Sequence, residues 1–266
     1  MSQRIDKREP DELRRIAIKK NVLSHPLSSV EISFGRTRVI CTISVERAVP
    51  AWMRSQKVSG GWLTCEYGML PGSTGERNKR ESSTGRPNGR SMEIQRLIGR
   101  SLRSVVDLES LGQNTVYVDC DVIDADGGTR CASICGASTA LGLALRTQFA
   151  KNNFTGKVMR EGVAAISVGI VNGEPVLDLC YEEDSRAEVD MNVVMTESGK
   201  LVEVQGTAER APFSRTQLNR LLDLAGSGLG KIFALQKAAV EEEKPKRTAK
   251  VGNLGEALSA ASGEMI

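Results

Sequence analysis

The chain has 266 residues, 40% of them hydrophobic and 26% charged, with a net charge of +3; this suits a soluble globular protein and argues against a fibre. No apolar run reaches transmembrane length, and the charged first twenty residues lack a signal-peptide core, so the expectation is a cytoplasmic protein with no membrane partner. The single histidine, His25, excludes hydrolase triads and histidine-rich metal sites, leaving carboxylates, arginines or a metal to carry any chemistry.

In chain order, Val30, Ile32 and Phe34 alternate, Gly35-Arg36 supplies a turn, and Val39, Cys41, Ile43 and Val45 alternate again, which predicts a hairpin. Residues 68–89 are rich in Gly, Ser and Arg, and between Pro71 and Gly89 no apolar periodicity occurs; so long a loop suggests function or mobility. Ile94, Leu97, Ile98, Leu102 and Val105 then recur at helical spacing, with Arg96, Arg100 and Arg103 on the opposite face. With Arg77, Lys79, Arg80, Arg86 and Arg90 they make a basic block, interrupted only by Glu81 and Glu93. It is either a solvated face or a phosphate-facing stripe.

Val116, Val118, Cys120 and Val122 alternate with Tyr117, Asp119 and Asp121, the pattern of a strand with one buried face, and residues 131–146 read as a buried helix. Residues 163–171 form an apolar strand, Asn172-Gly173 marks a type I′ turn, and a return strand runs through Val176 to Tyr181. Strands at 191–195 and 201–204 flank Ser198-Gly199, and Ser214 with Gln217 forms a capping box opening a helix that continues towards Val240. Each half thus reads as hairpin, further strands, then helix, consistent with an internal duplication. The expected division is residues 1–150, 151–240, and a disordered tail over 241–266. Six cysteines without a C-x-x-C pair are expected to be free buried thiols.

Two stretches could carry chemistry. In Asp124-Ala125-Asp126-Gly127-Gly128-Thr129-Arg130 a glycine pair stands between a strand and a helix. Bare N–H groups there, the helix N-terminus and an arginine fork could hold a phosphate, or the segment is a tight turn with a helix cap. The acids of Asp119, Asp121, Asp124 and Asp126 are read as turn capping, since no EF-hand glutamate follows. In Glu182-Glu183-Asp184-Ser185-Arg186-Ala187-Glu188-Val189-Asp190-Met191-Asn192 clustered carboxylates need compensation. A divalent cation such as Mg²⁺ would supply it, unless this is a solvated acidic loop offset by Arg186. Trp62 and Tyr67 could stack on bases, but with aromatics at 4% of the chain they are expected in the core.

The stretches Gly61-Trp62-Leu63-Thr64-Cys65-Glu66-Tyr67-Gly68-Met69-Leu70-Pro71, Gly89-Arg90-Ser91-Met92-Glu93-Ile94-Gln95-Arg96-Leu97-Ile98-Gly99-Arg100, Asp119-Cys120-Asp121-Val122 and the glycine loop resemble the ribonuclease PH family. So do Glu183 to Asn192 and Glu203-Val204-Gln205-Gly206-Thr207-Ala208-Glu209, and the order and spacing hold over about residues 8 to 240. The resemblance implies an α+β fold of two β-rich halves related to the second domain of ribosomal protein S5. It implies a phosphate-dependent 3′-to-5′ exoribonuclease trimming tRNA precursors and other RNA 3′ ends to nucleoside diphosphates. The chain would act as a homo-hexamer built as a trimer of dimers.

By the same resemblance Arg90, Gly128, Thr129 and Arg130 bind inorganic phosphate, Asp184 and Asp190 are catalytic and hold Mg²⁺, and Arg77, Lys79, Arg80, Arg96 and Arg100 face RNA. Departures from the family pattern are Lys7-Arg8 for Gly-Arg, Arg14-Arg15 for Arg-Pro, Gly72 after Leu-Pro, Glu76 before Arg77, and Cys131 and Cys135 for threonines. Those ahead of Cys131 bear on the expected tRNA clamp. The alternative carried forward is a non-catalytic RNA-binding subunit of an exosome-like ring.

Overall fold

A computed structural model describes residues 4–85, 88–148, 154, 156–210 and 212–241. Strand β1 (Ile16–Lys20) pairs with β2 (Ser28–Phe34), and β2 with β3 (Thr37–Glu46), the turn passing through Gly35 at φ 58°. The alternation places Val30, Ile32, Phe34, Val39, Cys41 and Ile43 on one fully buried face. Two short helices, α1 (Ala51–Gln56) and α2 (Glu81–Thr84), flank β4 (Trp62–Met69). Thus the loop expected to lack structure contains one helical turn, and Arg86 lies outside the described residues.

Helix α3 (Gly89–Arg103) buries Ile94, Leu97, Ile98 and Leu102, and leads to β5 (Thr115–Asp124). Because a helix connects them, β4 and β5 run parallel, and the first sheet has the order β1-β2-β3-β5-β4. The second sheet, β6 (Val163–Val171), β7 (Glu174–Leu177), β8 (Val189–Thr196) and β9 (Leu201–Ala208), is wholly antiparallel in the order β7-β6-β8-β9. Both halves keep a hairpin, further strands and a closing helix, but they differ in the number and order of their elements and in pairing scheme.

Asn172 at φ 53° and Gly173 at φ 75° make the expected turn between β6 and β7. Strand β7 stops at Leu177, short of the expected Tyr181, because Asp178 adopts φ 55° and the chain turns into the single-turn helix α5 (Tyr181–Asp184).

Helix α4 (Thr129–Gln148) packs against strands of both sheets, and Cys131, Ala132, Ile134, Cys135, Ala137, Ala140, Leu141 and Ala144 are all buried. A helix apolar on every side belongs inside a molecule. Gly136 is required here, since a Cβ would stand 2.6 Å from Cys41 Sγ. Helix α6 (Arg215–Glu241) opens on the reciprocal Ser214 and Gln217 bonds of 2.8 and 3.2 Å and adds Leu221, Ala225, Leu229 and Ile232 to the same continuous core. All six cysteines are free and buried. The tail beyond residue 241 lies outside the described residues; among the described residues no helix is long and apolar enough to cross a membrane.

Candidate functional site

The glycine loop sits where β5 hands over to α4. Gly127 at φ 75° and Gly128 at φ 68° take left-handed conformations in succession, and Ala132 N–H donates to Gly128 C=O at 3.0 Å to begin the helix ladder. The first-turn N–H groups of α4 have no acceptor in their own helix, so an anion is well placed there. Thr129 is buried and its hydroxyl accepts from Tyr67 Oη at 2.9 Å, leaving its own proton to donate. Arg130, with a side chain 15% exposed, donates to Gln205 Oε1 at 2.7 Å, and Gln205 donates to Glu93 at 2.8 Å. That chain fixes the fork's direction.

A Cβ on Gly127 would lie 2.7 Å from Tyr181 N and 2.8 Å from Cys180 C, backbone atoms that cannot step aside. Gly127→Ala should therefore cost about 1–3 kcal/mol of stability and drive the loop away from α5. Thermal denaturation beside Gly72→Ala, which meets open space, checks this: only the Gly127 variant should melt early.

The carboxylates come from the other half. Asp184 ends α5, and Asp190 enters β8 opposite Gly169 of β6 and Thr207 of β9. Burial pushes the Asp190 carboxyl up to about 6, the neighbouring Asp184 charge adding to the rise and Arg130 opposing it. Burial also raises Asp184, against the charges of Arg90 and Arg130. Asp190 Oδ1 is buried with no hydrogen-bond partner. An orphaned buried carboxylate oxygen beside a second carboxylate is a donor set that fits a hard divalent cation. Among the described residues no group of three or more such side chains gathers, so Asp184 and Asp190 would leave most of an Mg²⁺ shell to water and phosphate oxygens.

A pH dependence follows. With a folded value above the ordinary 3.8, Asp190 in metal-free protein binds its proton more tightly folded than unfolded, so its contribution to stability rises as pH falls through about 6. Cation binding runs the other way and should weaken below about 6. Titrating Mg²⁺ at pH 7.5 and 5.5 against melting curves of the metal-free protein checks both signs.

Arg90 stands in the first turn of α3, its N–H capped by Asn88 Oδ1 at 3.1 Å. With Lys79, Arg80, Tyr67, Asn78 and Ser91 it lines a cleft of about 510 Å³. Arg77 and Arg96 are exposed, and the structure does not place them in that cleft. Arg100 is held by Glu203 of β9 through bonds of 2.7 to 3.1 Å. Arg103 leaves the expected stripe: its guanidinium stacks 5.0 Å from the Trp62 ring centre and donates to Leu63 C=O at 2.9 Å. Its long apolar stem makes that inward course favourable.

An N-terminal strap was not legible in the sequence. Arg4 forms a bidentate pair with Glu183 at 2.7 Å for each bond, and Arg8 reaches Asp178 C=O at 2.9 Å. Arg14, 4% exposed in its side chain, reaches both Asp178 carboxylate oxygens at 2.7 and 3.1 Å and the carbonyls of Asp126 and Gly127 at 2.5 and 3.4 Å. Glu183 is thereby a structural acid, its carboxyl held low by Arg4 in spite of burial. The departures at Lys7-Arg8 and Arg14-Arg15 fall in this strap, where Lys7 takes φ 64°, a conformation suited to the family's glycine. The only sequence signal was the concentration of arginines before β1.

A mixed α+β core thus brings an anion-ready helix terminus, two arginines and a buried carboxylate pair within electrostatic reach of one another, an arrangement chemically able to hold a phosphoryl group. The chain belongs to the 3′ exoribonuclease family: the model of that family's domain 1 matches residues 12–146 and that of its domain 2 residues 162–228. Rice (Oryza sativa) Rrp46 superposes with a TM-score of 0.71 at 17% identity, covering 90% of this chain and 100% of its own. A chain of the Archaeoglobus fulgidus exosome, solved with RNA bound to the active site, gives 0.72 at 20% identity over 86% and 91% of the two chains. An archaeal exosome core chain gives 0.66 at 20% identity over 90% and 92%. At these identities the likeness is one of fold.

Proposed function

We propose that the chain is a phosphate-dependent 3′-to-5′ exoribonuclease. The observation that carries this reading is the orphaned Asp190 Oδ1 beside Asp184, in the field of Arg90 and Arg130. Inorganic phosphate held by Arg90, Arg130, the Thr129 hydroxyl and the loop N–H groups would attack the terminal internucleotide phosphorus in line. A phosphate oxygen forms the new P–O bond, the P–O3′ bond breaks, and the proton of hydrogen phosphate passes to the freed 3′ oxygen. The products are a nucleoside diphosphate and RNA one nucleotide shorter. Asp184 and Asp190 would hold Mg²⁺, which when bound stabilises charge developing on the phosphoryl oxygens. No histidine base is needed, since the nucleophile is already an anion.

RNA would approach over the cleft of Lys79, Arg80 and Arg90, with Arg77 and Arg96 adding positive field. Trimming of tRNA precursors, a homo-hexameric ring and a cytoplasmic setting remain parts of this proposal that rest on the family resemblance. The structural neighbours favour membership of an exosome-like ring that binds RNA, since two of the three are exosome chains and one is from a complex with RNA bound; the second reading is an RNA-binding subunit of such a ring without activity of its own.

One experiment separates the two. Purified protein with Mg²⁺ is given a 3′-extended tRNA and an unstructured RNA, with and without inorganic phosphate. Phosphate-dependent shortening supports the catalytic reading; retention of RNA on a filter with no shortening of either substrate supports the second.

A further inference from the structure

We infer that Arg14, far from the reacting groups in sequence and not in contact with substrate, is the positioning residue that holds the phosphate loop open and in register with the carboxylate segment. The inference deepens the proposed phosphate site and rests on that reading. Its basis is the way one buried guanidinium is shared. Arg14 Nη1 donates to Asp126 C=O at 2.5 Å and to Gly127 C=O at 3.4 Å, and Nη2 to Gly127 C=O at 3.4 Å. Thr37 Oγ1 donates to the same Gly127 carbonyl at 2.7 Å.

A trans peptide is planar, with C=O and N–H on opposite sides. Drawing the carbonyls of Asp126 and Gly127 towards Arg14 turns the N–H groups of Gly127 and Gly128 away from it. Neither N–H has a hydrogen-bond partner among the described residues. Arg14 thus sets the direction of two donors at the proposed anion site without touching the anion. The fit is close: a Cβ on Gly128 would lie 3.0 Å from Arg14 Nη2.

The other edge of the same guanidinium grips Asp178, through Nε at 3.1 Å and Nη2 at 2.7 Å, while the Arg14 N–H adds a bond of 2.8 Å to Asp178 Oδ2. Asp178 opens the segment that turns into α5 and ends on Asp184. Its N–H is itself fixed on Ser167 C=O at 2.7 Å. One side chain therefore spans the two halves of the site. Lysine can keep the charge at this position but cannot make a fork to a carboxylate and two carbonyls at once.

The test compares wild type, Arg14→Lys, Asp178→Asn and the remote core truncation Ile43→Ala by melting with and without inorganic phosphate, and by phosphate and RNA KM where turnover occurs. Phosphate should raise the melting temperature of wild type and of Ile43→Ala. That rise should be lost in Arg14→Lys and Asp178→Asn, with phosphate KM up by about tenfold or more and RNA KM within about twofold. Should Arg14→Lys fail to fold, Asp178→Asn carries the comparison. An undiminished phosphate response in the folded variants, or an equal loss in Ile43→Ala, overturns the positioning role. No phosphate response in wild type overturns the phosphate site itself.

Discussion

Asp190→Asn should lower RNA phosphorolysis by about a thousandfold or more while leaving RNA affinity close to that of the unaltered protein. The substitution keeps shape and removes charge. In the folded chain that charge is held at a cost, because burial pushes the carboxyl up to about 6 and Oδ1 has no hydrogen-bond partner. Without metal, the variant should therefore melt no lower than wild type, which separates a catalytic defect from an unfolded one. RNA is proposed to be held mainly by Lys79, Arg80 and Arg90, whose charges are untouched. Single-turnover rates and filter binding on the same preparation check both halves. Near-normal turnover would remove the carboxylate pair from the mechanism.

Arg130→Ala carries the second largest expected effect, a rise in the phosphate concentration needed for half-maximal rate of about a hundredfold. The side chain is 15% exposed and aimed by Gln205, which Glu93 fixes in turn, so the fork is preorganised. Its removal takes a full positive charge from a partly buried site, where electrostatic interactions are strong. Arg100→Ala is the contrast: the Arg100 pair with Glu203 is half-exposed, and such pairs contribute about 0–1 kcal/mol, so phosphate dependence should not move. Initial rates over a phosphate series for the two variants give the comparison directly.

Local pattern carried much of the architecture into the sequence. The alternation of Val116, Val118, Cys120 and Val122, the Asn172-Gly173 turn and the Ser214 and Gln217 box each concern neighbours within a few residues, and each appears in the fold as read. The glycine loop was visible for the same reason, since two left-handed residues in succession strongly favour a glycine pair.

What escaped was long-range or inward-turned. Arg14 and Asp178 are 164 residues apart, and Arg4 and Glu183 are 179 apart, and no spacing rule joins them. Arg103 shares its helical phase with Arg100, yet stacks on Trp62 instead of facing solvent. The parallel pairing of β4 with β5 also lay beyond hairpin logic, because it depends on where α3 packs.

If inorganic phosphate is the nucleophile, its phosphorus must appear in the released nucleotides. RNA would be incubated with Mg²⁺ and radiolabelled orthophosphate, and the released nucleotides separated. Nucleoside diphosphates carrying the label in the terminal phosphate are expected, one for each residue removed. Unlabelled nucleoside monophosphates, formed at the same rate without added phosphate, would contradict attack by phosphate.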